Sequence, residues 1–199
     1  MNQAQVDFML GNYYRSEGEE DQALAQYLKA VESAPNLAEA HNNLGIVYKN
    51  RGEYHKAMAE YEKALEILRF AQNDSYLSQA YDNLGVIYAE LGLTDLAIAA
   101  YEKAVKASPE NPKAHNNLGI AYEERGDYDA ALREYEKAIQ LSPELKEAHY
   151  NLGSLYGLMG RYEESIKELE KALELDPYDA ETYYNLALSK NGGKDANRN

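Results

Sequence analysis

The sequence predicts an all-α fold, an α-solenoid in which antiparallel helix pairs stack into a right-handed superhelix. Three observations carry that prediction. The hexapeptide AHNNLG at residues 40–45 recurs letter for letter at 114–119. A Leu-Gly dipeptide recurs in a fixed frame, as FMLGNYY, NNLGIVY, DNLGVIY, NNLGIAY and YNLGSLY; its glycines are Gly11, Gly45, Gly85, Gly119 and Gly153, spaced 34, 40, 34 and 34 residues apart. Apolar residues within each unit return at three- and four-residue steps, the period of a helix with one buried face. A catalytic motif is rarely written several times in so short a chain. A two-helix unit that cannot bury both faces alone must be repeated, because neighbouring copies supply the missing burial.

The elements of one unit follow in order. In the fourth, Ala114, Leu118, Ala121 and Tyr122 mark the buried side of a first helix, and Ala131, Leu132, Tyr135, Ala138 and Ile139 that of a second. Gly126 between them suits a left-handed helix C-terminus, and Asp127 or Asp129 is placed to cap the helix that follows. Pro143 ends the second helix, since its ring cannot continue one. Prolines close four units in this way: Pro35, Pro109, Pro143 and Pro177. The Leu-Gly glycine falls in mid-helix, where it costs roughly 1 kcal/mol relative to alanine. Repeating that cost implies that the missing side chain lets two helices approach closely. The tyrosines in register, Tyr27, Tyr61, Tyr101 and Tyr135 among them, read as inter-helix packing residues with a polar tip. Repetition thus accounts for 19 Tyr against 2 Phe and no Trp.

This pattern resembles the tetratricopeptide repeat family, and the resemblance spans about residues 4–190. It implies one solenoid over 1–190, with repeats at about 4–37, 38–77, 78–111, 112–145 and 146–179 and a capping helix at 180–190; residues 191–199 read as a flexible tail. The second unit carries Arg69 in its proline slot and six extra residues. Its second helix is expected to run on through Leu68 toward Phe70, with Asp74 or Ser75 capping the next. The extension reads as a tolerated surface elongation, or else as a local bend or a protruding partner site using Phe70 and Tyr76. In the capping helix Ala187 stands where glycine stood, and Lys190 where tyrosine stood.

Composition narrows the function. The formal net charge is −14, which argues against a nucleic-acid backbone as ligand. No apolar stretch is long enough to span a membrane, and the N-terminus lacks the basic start and apolar run of a secretory signal. The chain has no cysteine, which fits a reducing, cytoplasmic setting and leaves no thiolate for metal or nucleophilic chemistry. His41, His115 and His149 share a slot that Tyr81 and Tyr183 fill elsewhere, so they read as packing residues. No two histidines have the four-residue spacing of a zinc helix, and no phosphate-binding glycine loop or serine elbow is present. Paired acids such as Glu123–Glu124 read as solvated charge. No catalysis, metal or cofactor is expected.

The residue before each Leu-Gly leucine is Asn43, Asn83, Asn117, Asn151 and, in the capping helix, Asn185; Met9 holds the slot in the first unit. In the family this slot faces the concave surface. Asparagine is only a fair helix former, and its amide both donates and accepts hydrogen bonds. The arrangement is similar to the asparagine ladder of the O-linked N-acetylglucosamine transferase repeats, and implies contact with a peptide backbone. Beside it the resemblance places Asn12, Ile46, Val86 and Ile120 on one side, and Asn42, Asn116, Tyr150 and Tyr184 on the other. A groove apolar along its floor and acidic at its rim fits a neutral or basic extended peptide of another protein. The alternatives are a module that assembles with itself through Phe8 and Met9 at one end and Tyr183, Tyr184 and Leu188 at the other, giving a homo-oligomer, or a regulatory fragment of a larger protein.

Overall fold

A computed structural model describes residues 2–71 and 73–196. It contains helices and, among the described residues, no strand. The chain falls into two compact units, Met1–Ser108 and Pro109–Asn199, where the repeat pattern alone reads as one solenoid. Unit 1 holds α1 (Gln3–Ser16), α2 (Glu20–Ser33), α3 (Ala38–Asn50), α4 (Tyr54–Ala71), α5 (Asp74–Glu90) and α6 (Thr94–Ala107). Unit 2 holds α7 (Pro112–Arg125), α8 (Tyr128–Leu141), α9 (Lys146–Leu158), α10 (Tyr162–Leu175) and α11 (Ala180–Ala196). Each odd-numbered helix before α11 packs on the even-numbered helix that follows. Within a unit each pair also stacks on the next: α2 meets α3 and α3 meets α5, while α8 meets α9, and α9 touches both α7 and α11. The odd-numbered first helices therefore line one face of each unit. No described helix is long and apolar enough to cross a membrane.

The mid-helix glycines have a common use. A Cβ on Gly11 would lie 2.6 Å from the ring of Tyr27; on Gly45, 2.5 Å from Tyr61; on Gly85, 2.6 Å from Tyr101; and on Gly119, 2.6 Å from Tyr135. Gly153 seats Leu169 instead, at 2.7 Å. In every case the partner stands sixteen residues on, in the second helix of the same pair. The second glycine of each repeat serves the turn: Gly52 and Gly126, for example, have φ of 72° and 89°, and a Cβ there meets nothing.

The seated rings are not equivalent at their tips. The Tyr27 hydroxyl donates to Asn12 Oδ1 at 2.7 Å, and that of Tyr135 to Glu123 at 2.8 Å. Tyr61 is fully buried and its hydroxyl has no hydrogen-bond partner among the described residues. Ile46 occupies the register that Asn12 holds in the first repeat, so the acceptor is missing. Tyr61→Phe is expected to be neutral or to raise stability by up to about 1 kcal/mol, whereas Tyr27→Phe costs about 1 kcal/mol. Urea midpoints of the two variants check this, and equal losses would contradict it.

The elongated second repeat, in unit 1, is packed rather than protruding where it is described. Leu68 is buried with Ala38 and Ala80, and Leu65, Ile67, Tyr76 and Leu77 pack against them. The Phe70 side chain lies outside the described residues. The cap of α5 is Asn73, whose side chain accepts from the Tyr76 N–H, not Asp74 or Ser75. Asp127 holds the cap position of α8 but makes no capping bond; its carboxylate is taken by Arg125 instead. The last helix, expected over 180–190, continues to Ala196. Gly192 permits this, because a Cβ there would lie 2.6 Å from the Tyr162 ring on α10. Residues 197–199 of the expected tail lie outside the described residues.

Candidate functional site

The ladder asparagines lie half-buried on the first-helix faces, and the structure shows what their amides do. Asn43 Nδ2 donates to Asn12 Oδ1 at 2.7 Å and reaches the Tyr27 hydroxyl at 3.4 Å. Asn83 Nδ2 donates to Asn42 Oδ1 at 3.0 Å, and Asn151 Nδ2 to Asn116 Oδ1 at 2.9 Å. Asn185 Nδ2 donates to the Tyr150 hydroxyl and to Ser154 Oγ, each at 3.1 Å. Each thus ties its helix to the first helix of the preceding repeat. In each of these bonds the ladder amide acts as a donor through Nδ2, not as an acceptor through Oδ1.

That bonding sorts the residues beside the ladder. Asn42 and Asn116 are buried, 5% and 7% exposed, and they serve as acceptors within the stack. Ile46, Val86 and Ile120 are half-buried, Tyr150 likewise, and Tyr184 is 65% exposed. In unit 2 a cleft of about 460 Å³ brings together Asn117, Ile120, Tyr150 and Asn151, with Lys146, Glu147 and Glu181 at its edge. The Tyr150 hydroxyl donates to Glu181 at 2.7 Å; burial and then this bond to a carboxylate hold its pKa above the ordinary tyrosine value. Lys146 is paired with Asp176 at 2.5 Å. A second cleft of about 360 Å³ shares Ile120 and Asn151 and adds Glu123, Glu124, Tyr128 and Leu158. Burial pushes the Glu123 carboxyl up, the Tyr135 hydroxyl pulls it down, and the charge of Glu124 raises it again. The unit 2 face is thus apolar at Ile120, amide-lined beside it and acidic beyond.

A separate cleft in unit 1, about 780 Å³, lies among Leu28, Val31, Pro35 and Ile67 of α2, α4 and the turn between repeats, with Glu32, Lys63 and Glu66 around it. The ladder residues do not line it.

The three histidines in register do more than fill space. His41 Nδ1 meets Glu60 at 2.6 Å while Nε2 meets the Pro35 carbonyl at 2.9 Å. His115 does the same with Glu134 and Pro109, at 2.6 and 3.0 Å, and His149 with Glu168 and Pro143, at 2.7 and 3.1 Å. All three rings are nearly buried. Each joins the end of one repeat to both helices of the next. The sequence carried a signal for this: glutamate follows each of these histidines by nineteen residues and proline precedes it by six, whereas Tyr81 has Ala100 and Ser75 at those places. Among the described residues no group of three or more His, Asp and Glu side chains could hold a metal ion.

Family profiles described as tetratricopeptide repeat match residues 36–110 and, in a second profile, 83–146 and 116–180; a TPR repeat profile matches 11–51. The chain belongs to the tetratricopeptide repeat family. Comparison with curated protein sequences returns no match. Among solved structures, the tetratricopeptide repeat fold here is similar to that of MamA, with a TM-score of 0.70 and 27% identity over 86% of this chain and 97% of that one. It is also similar to YrrB, described as a TPR protein with an unusual peptide-binding site, with a TM-score of 0.66 and 26% identity over 94% of this chain and 90% of that one. A third similar tetratricopeptide repeat structure is TTC0263 of Thermus thermophilus, with a TM-score of 0.67 and 24% identity over 94% and 98% of the two chains. The chain is thus a tetratricopeptide repeat protein with the architecture of a protein-interaction scaffold.

Proposed function

We propose that this protein is a non-catalytic, cytoplasmic scaffold that holds an extended peptide segment of another protein against its first-helix face. The observation that carries the reading is the unit 2 cleft, where Asn117, Asn151, Ile120 and Tyr150 converge. A ladder whose Nδ2 groups are engaged inside the stack presents carbonyl oxygens, and an extended peptide presents backbone N–H groups. Packed helices lie about 8–10 Å apart and an extended chain advances about 3.3 Å per residue, so one amide meets roughly every third ligand residue. Ile120 offers an apolar contact. Glu123, Glu124 and Glu147 bias the face toward neutral or basic segments. The peptide-binding description of YrrB, a relative in fold, supports the same class of ligand.

Selection of a displayed random-peptide library on the whole chain tests the proposal. Enriched peptides are expected to be basic or neutral, and to bind more weakly as salt is raised. Asn117→Ala or Ile120→Ser is expected to reduce their affinity about fivefold to tenfold, or about 1 kcal/mol, with the melting temperature little changed. Selected peptides that bind both variants as tightly as the parent would overturn the assignment of this face.

A further inference from the structure

The two ends of the repeat array carry matched departures from the repeat pattern. Inside each unit the ladder residue reaches back to a polar group of the preceding repeat, in one of two registers. Asn83 and Asn151 find the first, at Asn42 and Asn116. Asn43 finds the second, at Asn12, and Asn185 finds both, at Tyr150 and Ser154. On α1 the ladder register holds Met9, which cannot donate. On α11 the two receiving registers hold Tyr184 and Leu188. Met9 and Leu188 thus offer no hydrogen-bonding group in registers that bond at the internal joints, while Tyr184 keeps the hydroxyl that Tyr150 uses internally and leaves its ring exposed.

The exposure follows the same rule. Leu44 and Val47 of α3 are each 1% exposed, packed with Ala23 and Tyr27 and against Phe8. Their counterparts on α1, Leu10 and Tyr13, are 40% and 57% exposed, and Met9 is 56%. Tyr184, in the register of Phe8, and Leu188 are also more than half exposed. A face built for solvent favours polar residues in these registers.

We propose that the chain stacks head to tail on a second copy of itself, with Met9, Leu10 and Tyr13 of one copy packing on Tyr184 and Leu188 of the next. The contact reproduces the first-helix part of the repeat-to-repeat interface, as in α3 on α5 and α9 on α11; the second-helix part, in which Leu44 and Val47 pack on Ala23 and Tyr27 of α2, has no counterpart at α11, which has no second helix among the described residues. It is heterologous, so each copy keeps one open end and growth is linear unless the rotation closes a ring. The proposal is independent of the peptide reading, and salt separates the two. Apolar association between chains of net charge −14 strengthens as salt screens their repulsion, whereas binding of a basic peptide weakens.

Sedimentation velocity across a concentration series tests it with two variants, Met9→Lys/Tyr13→Lys and Tyr184→Lys/Leu188→Lys. All four residues are exposed, so both variants are expected to keep the parent's helical circular dichroism; the serine versions replace any that does not. The parent's mean mass is expected to rise with concentration, and more steeply at higher salt. Each variant alone stays monomeric. Mixed together, the two form one-to-one dimers and nothing larger, since each retains one working end. A parent that stays monomeric at every concentration, variants that associate on their own, or a mixture that forms no dimer overturns the proposal.

Discussion

Gly45→Val is expected to destabilise unit 1 by roughly 3 kcal/mol, the upper range for overpacking a filled core. The Tyr61 ring occupies the space the new side chain needs, at 2.5 Å from a Cβ, and it is fully buried, with no solvent to swing into. Valine's branched Cβ also crowds the preceding helical turn. Gly52→Ala is the matched control. Nothing lies within 4 Å of its Cβ, and only the left-handed backbone, φ 72°, resists the change, at about 1 kcal/mol. Urea unfolding followed by circular dichroism compares the two midpoints. A Gly45→Val midpoint no lower than that of Gly52→Ala would refute the ring-seat account.

The histidine joints have the second largest expected effect. Both ring nitrogens of His115 face acceptors, a carboxylate and a carbonyl, and only the doubly protonated imidazolium donates to both. Burial, the largest single influence on its pKa, pulls it down; the bonds to Glu134 and Pro109 and the Glu134 charge outweigh burial, and the net shift is upward. A folded pKa above the unfolded value of about 6.5 means that this stabilisation is complete below that pH and is lost as pH rises through the folded value. On the acid side Glu60 works in the opposite sense. Burial raises its pKa, but His41 and Lys63 pull it below the ordinary value, so its contribution disappears as pH falls through the lowered pKa. Stability is therefore greatest between these limits. His115→Ala is expected to cost about 2 kcal/mol near pH 6, because it leaves the half-buried Glu134 carboxylate without this partner, and to flatten the decline at higher pH. Ring nitrogen shifts in an NMR titration report the charge directly. A His115 ring that is neutral at pH 6 would refute the assignment.

These two features differ in how far the residues alone reveal them. The glycine–ring seat is legible because both partners repeat in one frame: a costly mid-helix glycine and a tyrosine sixteen residues later imply each other. The histidines read only as packing, since exchange with tyrosine suggests shape and says nothing of charge. Their function rests on a glutamate on the other helix of the pair and on a proline carbonyl, groups that meet only when three segments converge. The ladder is intermediate. Its register follows from the period, but the direction of its hydrogen bonds depends on the offset between neighbouring first helices, which a period does not specify. For the same reason the acceptor role of Asn42 and Asn116 within the stack is not legible in the residues alone; Asn116, read as a groove residue, also lines the unit 2 cleft. The cap of α5 falls on Asn73 rather than on its neighbours because three adjacent residues all favour that role, and only the backbone path selects one.

Ala187 gives the array a direction of growth. Every ring seat depends on a hydrogen in place of a methyl group, and α11 carries a methyl at that register. Duplicating an internal repeat in the gene copies its glycine and tyrosine together, and the inserted pair fits at once. A second helix packed on α11 in the manner of the earlier pairs would bring its aromatic ring against the Ala187 methyl, so α11 lacks the seat that the other first helices provide. A repeat copied from inside the array therefore brings a working seat with it, whereas a helix copied from α11 does not.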